Sequence, residues 1–495
     1  MHSIKFIPAL FSLCLALNFF SCKDDFDSFS YDPNHLLAFS NDTLSLDTIL
    51  STIGSTTHEL VVYNRHKKAL IISSIKLEGA GNTGFRINVN GINVKDGFIE
   101  NIEIWGNDSL SIFIETTLEP NMQNSPTPMR DQITFTTNNI QQKVILEAYG
   151  QDTYIMRGEK ISYSSTLPND KPYLIFDSLT INEGVELTIP AGTVFYLHHQ
   201  AKIIVRGKIK AIGTLEAPIV FRGDRFDYPN ANSTDLIPFD KIPGQWGGII
   251  FASSSYDNEF EYVHVRNPHS GLQFERSDPQ KTKIKLKNSI FSNSTKSIFT
   301  AVEARIEAYN CEFSNAGDTV ISIAGGAYKF IHCTIANYMS RGDVRGSRTV
   351  LYLSNQEIDS LAPSNIGLRP LLQADFFNSI IYGNKDIVFN FLNPETHPAV
   401  DSLFQFHFCS LKLSKRNNDG DKIKECFFDK YPKFISTTIN RNLNLDLRLD
   451  SISPMRNVAD KSIAALLAFD INGESRTTDE GPDMGAYEWV PSKTP

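Results

Sequence analysis

"IKLKNSIFSN" (284–293), "IEAYNCEFSN" (306–315) and "YKFIHCTIAN" (328–337) follow one another at a constant interval of 22 residues. Laid over one another, Ile284, Ile306 and Tyr328 coincide, as do Leu286, Ala308 and Phe330. Asn288, Asn310 and His332 coincide next, then Ser289, Cys311 and Cys333, then Phe291, Phe313 and Ile335. Asn293, Asn315 and Asn337 close the three copies. The pattern returns at "DFFNSIIYG", where Asn378 stands 46 residues after His332, an interval read as two turns plus two residues. It returns again at "FHFCSLKL", with Cys409 in the Ser/Cys position. Each copy alternates like a strand and has no 3.6-residue period, which excludes helical solenoids. A unit of this size cannot bury its own inner face. It must hydrogen-bond to copies about 4.8 Å above and below, so that like residues stack in columns. The asparagines are read as one such column, with amides bonded along the stack axis.

Working upstream, "LTINEGVELTIPAGTVFYLHHQAKIIVRGKIKAIGTLEAPIVFRG" (179–223) sets short apolar strands between Gly184, Gly192, Gly207 and Gly213. Ile203, Val205, Ile209 and Ala211 alternate there with Lys202, Arg206, Lys208 and Lys210, one side inside and the other wet. With "PGQWGGIIF" (243–251), these stretches resemble the right-handed parallel β-helix repeat family as found in Bacteroidetes-type lipoproteins. The resemblance implies an all-β chain with a right-handed parallel β-helix over 153–440. Downstream, "YPKFIS", "SPMRNVAD" and "DINGESRTTDEGPDMGAYEW" resemble the closing segment of that family, here 441–495, at Asp470, Gly473, Arg476, Asp483, Gly485, Ala486, Tyr487 and Glu488. An open solenoid end is a bare sheet edge. The segment is therefore expected to cap that end, with Asp470, Arg476, Asp483 and Glu488 bracing the cap through ion pairs. A calcium site is the other reading of these acids.

Before the repeat, residues 36–152 carry "ELVVYNRH", "LIISSIKLEG", "GFRINVNG", "SLSIFIETTL", "DQITFTTN" and "QKVILEAYG", separated by turn residues. Some seven strands of this kind fit an immunoglobulin-like β-sandwich. The layout resembles modules of bacterial surface proteins that act as spacers or docking units.

The N-terminus gives an address. Residues 1–21 have one basic residue, Lys5, and an apolar run from Ala9 to Leu17, too short for a comfortable membrane span but laid out as a secretory signal. The run ends at "FFSC", which resembles a lipoprotein signal with Cys22 as the lipidated residue. Lys23, Asp24 and Asp25 resemble the tag that sends such lipoproteins to the outer face of the outer membrane, and residues 22–35 read as a tether. Acyl chains contribute about 0.8 kcal/mol per buried CH₂, so several together hold a protein on a bilayer. The net charge of −9 repels phosphate backbones, so no nucleic-acid partner is expected. Six cysteines in 495 residues, with Cys311, Cys333, Cys409 and Cys426 downstream of the leader and Cys22, form no disulfide framework. Cys311 and Cys333 stack within disulfide reach and are read as buried free thiols.

Catalysis has a weak signature. Glycoside cleavage needs two flanking carboxylates, and a lyase needs a base with the substrate's charge neutralised. The Asn-Thr-Asp, Asp-Asp and Gly-His-Gly motifs of polygalacturonases do not occur on the coils. No cofactor and no metal is expected; His198 and His199 read as solvated turn residues. Two segments interrupt the repeat, 224–246 and 339–370, and insertions on a solenoid often form its binding surface. Tyr228, Phe239 and Trp246 are candidate ligand-stacking residues there, although the first insertion reads equally as a cover for the opening coils. Asp followed by Ser or Thr and an aliphatic residue recurs, making Thr43, Thr48, Ser109, Ser178, Thr319, Ser360, Ser402 and Ser451 candidate O-glycosylation sites. The same tripeptide is also ordinary turn-to-strand grammar. Two Arg-Gly-Asp tripeptides, at 222–224 and 341–343, are read as chance matches in turns. The sequence thus points to a lipid-anchored outer-membrane protein, surface-exposed, with a non-catalytic binding or structural role toward polysaccharide or a surface protein. A polysaccharide lyase or glycoside hydrolase on a groove of the β-helix is the alternative.

Overall fold

The computed structural model describes residues 28–227, 237–339, 349–358, 366–392, 403–414, 421–439 and 444–491. The chain divides into two compact units between Asp152 and Thr153.

Among its described residues the first unit holds ten strands: β1 (Ala38–Phe39), β2 (Thr43–Leu50), β3 (His58–Tyr63), β4 (Leu70–Leu77), β5 (Phe85–Val89), β6 (Ile92–Asn93), β7 (Phe98–Ile104), β8 (Ser109–Thr116), β9 (Thr127–Thr137) and β10 (Ile140–Gln151). They form two five-stranded sheets, β1-β3-β8-β5-β6 and β2-β10-β9-β4-β7. Every pairing is antiparallel except β2 with β10. Alternation dictates the packing: Leu60, Val62 and Ile112 from one sheet meet Ile72, Ile75 and Phe135 from the other.

In the second unit a central coil contributes three strands, such as Thr282–Lys287, Ile290–Ser294 and Phe299–Val302, and each pairs in parallel with its counterpart in the next coil. The repeat register is the pairing register. Ile284 lies beside Ile306 and Ile306 beside Tyr328; Phe291 lies beside Phe313 and Phe313 beside Ile335. This is a parallel β-helix. The interval of 46 residues resolves differently from the reading above. Phe330 and Ile331 pair directly with Phe376 and Phe377, so Asn378 belongs to the very next coil. Within the interval, Leu351–Ser354 pairs in parallel with Ile321–Ala324, and Gln356–Ile358 pairs antiparallel with Ile366–Leu368 as a separate ribbon. Extruded loops cost only slowly growing closure entropy, so they need not keep the period.

Three kinds of column hold the coils together. The first is aromatic and comprises separate stacks on different strands of the coil. Tyr173, Phe195 and Phe221 stack at 5.1 and 4.6 Å, Phe251, Phe274 and Phe299 at 4.8 and 4.9 Å, and Phe330, Phe376 and Phe406 at 4.9 Å each. The second sits at one corner. Tyr262, Asn288, Asn310, His332, Asn378, Phe408 and Glu425 all have φ between 49° and 52°. Asparagine tolerates this left-handed conformation better than most residues, which explains its choice in the central coils. The third column follows immediately: Ser289, Cys311, Cys333, Ser379, Cys409, Cys426. Each hydroxyl or thiol donates to the carbonyl two residues back, over 2.7–3.5 Å. From Ser289 onward the side chain here is small and a donor, whereas one coil earlier Val263 fills the same position without a donor. The four thiols are free.

Outside, one sheet bears a zipper of alternating sign. Lys210, Glu259, Lys285, Glu307, Lys329 and Asp375 are successive neighbours. Opposite charges directly beside one another contribute roughly 0.2–1 kcal/mol each, and like charges cost as much. Glu307→Lys places one cation between two others. It is expected to lower stability by about 1–2 kcal/mol at low ionic strength, with most of the loss recovered at 1 M salt, read by chemical denaturation at the two salt concentrations. An equal loss at both would assign the effect to packing.

Candidate functional site

The closing segment does not lie over the end of the stack. It runs along the outer wall made by Ile290–Ser294, Glu312–Ala316, Thr334–Asn337 and Ile380–Gly383. Ala486 N–H donates to Thr334 Oγ1 at 2.9 Å, Gly485 N–H to the Asn378 carbonyl at 2.8 Å, and Tyr487 Oη–H to Glu312 Oε2. Met455, Ile471, Met484 and Ala486 pack on Ala336 and Ile380. The layer begins at Phe434–Ser436, which pairs antiparallel with Asp446–Leu449. The wall is the stable place because its outward residues there, Ile290, Ala336 and Ile380, are apolar and need cover.

Of the four polar residues expected to brace it, two form an ion pair. Arg476, 0% exposed, pairs with Glu488 Oε1 and also donates to Asn310 Oδ1 at 3.0 Å and the Gly485 carbonyl at 3.2 Å. The aspartates hold backbone instead. Asp470 accepts from the N–H groups of Asn472, Glu474 and Glu488, and Asp483 from those of Asn457 and Trp489. Burial still pushes the Asp483 carboxyl up to about 6. All four carboxylate oxygens of these two residues are thereby occupied by donors, which disfavours the calcium reading.

Beside this layer a groove of about 810 Å³ opens on the wall. Ile290, Ser292, Asn293, Glu312 and Asn315 form its floor, and Asp446, Arg448, Asn472, Glu474, Tyr487 and Glu488 its side. A smaller apolar recess of about 270 Å³ adjoins it, sharing Asn293, Asn315 and Ile439 and lined by Ile237, Ile242, Pro243 and Met339. Asn293 and Asn315 are amides of the column that closes each repeat. Asn293 Nδ2 donates to Asn267 Oδ1 at 2.6 Å, and both Asn293 and Asn315 have left-handed backbones. Glu312 is 7% exposed; Ser314 Oγ donates to its Oε1 at 2.6 Å, while burial pushes the carboxyl up. Asp446 pairs with Arg448 at 2.6 Å. Glu312, Asp446 and Arg448 were not singled out from the sequence. The available signal was an acid at position 312 in a column otherwise occupied by His264, Ile290, Thr334 and Ile380.

The expected stacking residues do not assemble into a ligand platform. Trp246 is 0% exposed, a core residue whose Nε1–H donates to the Arg266 carbonyl at 3.0 Å. Phe239, in the short 3₁₀ turn Phe239–Lys241, is half-buried, with the Arg225 guanidinium 3.6 Å from its ring centre. Tyr228 lies outside the described residues. Asp240 of the same insertion pairs with Arg222 at 3.1 Å and Arg266 at 3.3 Å. The insertion is thus bolted to the opening coils, as a cover would be. His198 is a half-exposed turn residue whose Nδ1 lies 2.6 Å from Asp224 Oδ2, so it is paired and not merely solvated. These bonds also occupy the Arg and Asp of the first Arg-Gly-Asp tripeptide; the second lies outside the described residues.

Cys22, Lys23, Asp24, Asp25, Ser360 and Ser402 also fall outside the described residues. Among the hydroxyl candidates, Thr43, Ser109 and Ser451 are exposed, Thr48 and Ser178 are half-buried, and Thr319 is buried at 5% exposure. The preceding aspartates have local structural work. Asp47 and Asp177 hold left-handed kinks within strands, and Asp450 accepts from Ile452 N–H in a turn.

No family model matches the chain, and no curated protein does. Among solved structures, a family 123 glycoside hydrolase from Clostridium perfringens, described for glycolipid glycan hydrolysis, aligns at TM-score 0.17 and 10% identity over 23% of this chain and 25% of that one. A protein of unknown function from Porphyromonas gingivalis W83 aligns at TM-score 0.18 and 10% identity over 26% of this chain and 59% of that one. The matched part therefore spans a quarter of the first protein and under two thirds of the second, and TM-scores this low carry no argument about fold or chemistry.

Asn310 joins coil to closing layer. Its Nδ2 donates to Asn288 Oδ1 at 3.1 Å and to the Phe469 carbonyl at 2.8 Å, and its Oδ1 accepts from Arg476. Asn310→Ala leaves a buried guanidinium short of an acceptor and strains a left-handed corner. The expected loss is about 3 kcal/mol by chemical denaturation. A loss under 1 kcal/mol would show that the layer is not anchored there.

Proposed function

We propose that this chain is a lipid-anchored protein of the bacterial outer membrane, displayed on the cell surface, that binds polysaccharide in the groove on the flank of its β-helix without cleaving it. The anchor rests on Cys22 after the apolar leader and on Lys23, Asp24 and Asp25. The N-terminal unit serves as an immunoglobulin-like spacer between tether and β-helix.

One observation carries the binding role: the groove presents amides, hydroxyls and an Asp446–Arg448 pair on a wall of hydrogen-bonded coils. Planar polar side chains fixed on rigid strands suit sugar hydroxyls, which need several donors and acceptors held in place. Three of its four carboxylates are engaged, leaving exposed Glu474 without a second free carboxylate beside it, and this is the reason for leaving out cleavage. Both Glu312 oxygens accept hydroxyl protons, Glu488 serves Arg476 and the Asp483 N–H, and Asp446 is held by Arg448. A general acid–base pair needs groups free to reach the glycosidic oxygen and a water or the reacting carbon.

The second reading, a polysaccharide lyase or glycoside hydrolase, is favoured by the convergence of Glu312, Asp446, Glu474 and Glu488 with Arg448 in a single groove. A polysaccharide array, run with assays for new reducing ends and unsaturated products, separates the two. Binding without product is expected, with affinity falling about tenfold in Arg448→Ala, as for loss of one charge-assisted hydrogen bond. Product formation abolished by Glu312→Gln would establish the enzyme instead.

A further inference from the structure

The small-residue column ends in two consecutive cysteines. Phe406 and His407 pair with Ile423 and Lys424, and Ser410 and Leu411 with Phe427 and Phe428, so Cys409 and Cys426 lie side by side in neighbouring coils. Cys409 N–H donates to Cys426 Sγ at 3.4 Å. In-register strand neighbours are about 4.8 Å apart, inside the range of about 4.4–6.8 Å that a disulfide spans between Cα atoms. Cys311 and Cys333 have the same spacing, but the two pairs differ in access. Cys311, Cys333 and Cys409 are buried, while Cys426 is half-buried at the terminal coil. That coil's strands, Ile423–Lys424 and Phe427–Phe428, are two residues each.

We infer that Cys409 and Cys426 form a disulfide when the folded chain meets a disulfide oxidant, stapling the terminal coil to the one before it, while Cys311 and Cys333 stay reduced. The exchange balances with oxidised glutathione. The Cys426 thiolate attacks one glutathione sulfur, breaking the S–S bond and releasing a glutathione thiolate. The Cys409 thiol, having lost its proton to water, attacks the Cys426 sulfur of the mixed disulfide and releases the second glutathione. Two protein thiols lose two electrons and two protons, and one glutathione disulfide becomes two thiols. Burial pushes the Cys409 thiol up, which slows the second step and leaves its outcome to the enforced proximity of the two sulfurs. At Cys311 and Cys333 burial also pushes the thiols up, and neither offers an exposed sulfur for the first attack.

The test uses the purified, reduced full-length chain, folded, incubated with oxidised glutathione at pH 8, then unfolded, alkylated and digested without reductant. Mass spectrometry is expected to find the Cys409 and Cys426 peptides linked, less two hydrogens, with Cys311 and Cys333 alkylated. Cys426→Ser should abolish the link and leave Cys409 alkylated while the circular dichroism spectrum stays unchanged, since serine already fills this column at Ser289 and Ser379. Alkylation of both Cys409 and Cys426, a glutathione adduct persisting on Cys426, or a Cys311–Cys333 link would each overturn the inference. The reagents are supplied in vitro, so the result does not depend on where the chain resides in the cell.

Discussion

In-register parallel pairing is the constraint from which the second unit follows. A coil of 22 residues satisfies its backbone only through the coils above and below, so each position inherits its neighbours from the same position one turn away. That single rule turns a sequence period into columns. Inside, phenylalanines stack face to face. At the corner, asparagine adopts the left-handed turn and bonds the next asparagine. Beside it, serine or cysteine returns a proton to the backbone carbonyl behind. No column works alone, because the corner that lets the chain turn also sets the register in which the rings meet.

The same rule shapes the surface. Where a column is charged and alternating, as from Lys210 to Lys329, the sheet face stays in contact with water. Where the outer wall offers apolar side chains, as at Ile290, Ala336 and Ile380, the C-terminal layer covers them and leaves a polar groove along its margin. Glu312 sits at that border, buried under Tyr487 on one side and facing the groove on the other. Its raised proton affinity follows from position, since a carboxyl sealed between hydroxyl donors loses more hydration than those donors return.

Much of the stack was legible because register is written in the sequence at fixed intervals. Lys285, Glu307 and Lys329 even spell the external zipper, 22 residues apart. What sequence concealed is what does not repeat. The interval from His332 to Asn378 suggested an extra coil, whereas Phe330 pairs directly with Phe376 and a separate ribbon takes up part of the interval, a choice that period arithmetic cannot distinguish from a full turn. The resting place of the C-terminal layer was hidden because Arg476 meets Asn310 across 166 positions of chain. Trp246 was misread as a surface platform. Its neighbour Gly248 has φ of 117°, and an added Cβ would lie 1.7 Å from the Ser270 carbonyl, the mark of a tightly packed entry into a strand. The groove itself combines residues from two coils with residues from a layer that returns over them, and no local pattern records that meeting.

The central claim is that distance along the structure counts coils and not residues. Lys210, Glu259, Lys285, Glu307, Lys329, Asp375 and Gln405 are successive neighbours despite sequence intervals from 22 to 49 residues. Spin labels at Lys210 paired with labels at Lys329 and at Gln405 measure this directly by double electron–electron resonance. Spacings of ~4.8 Å per coil give separations of about 19 Å and about 29 Å, allowing for label length. Separations far beyond these values, or a second distance no longer than the first, would contradict the parallel stack.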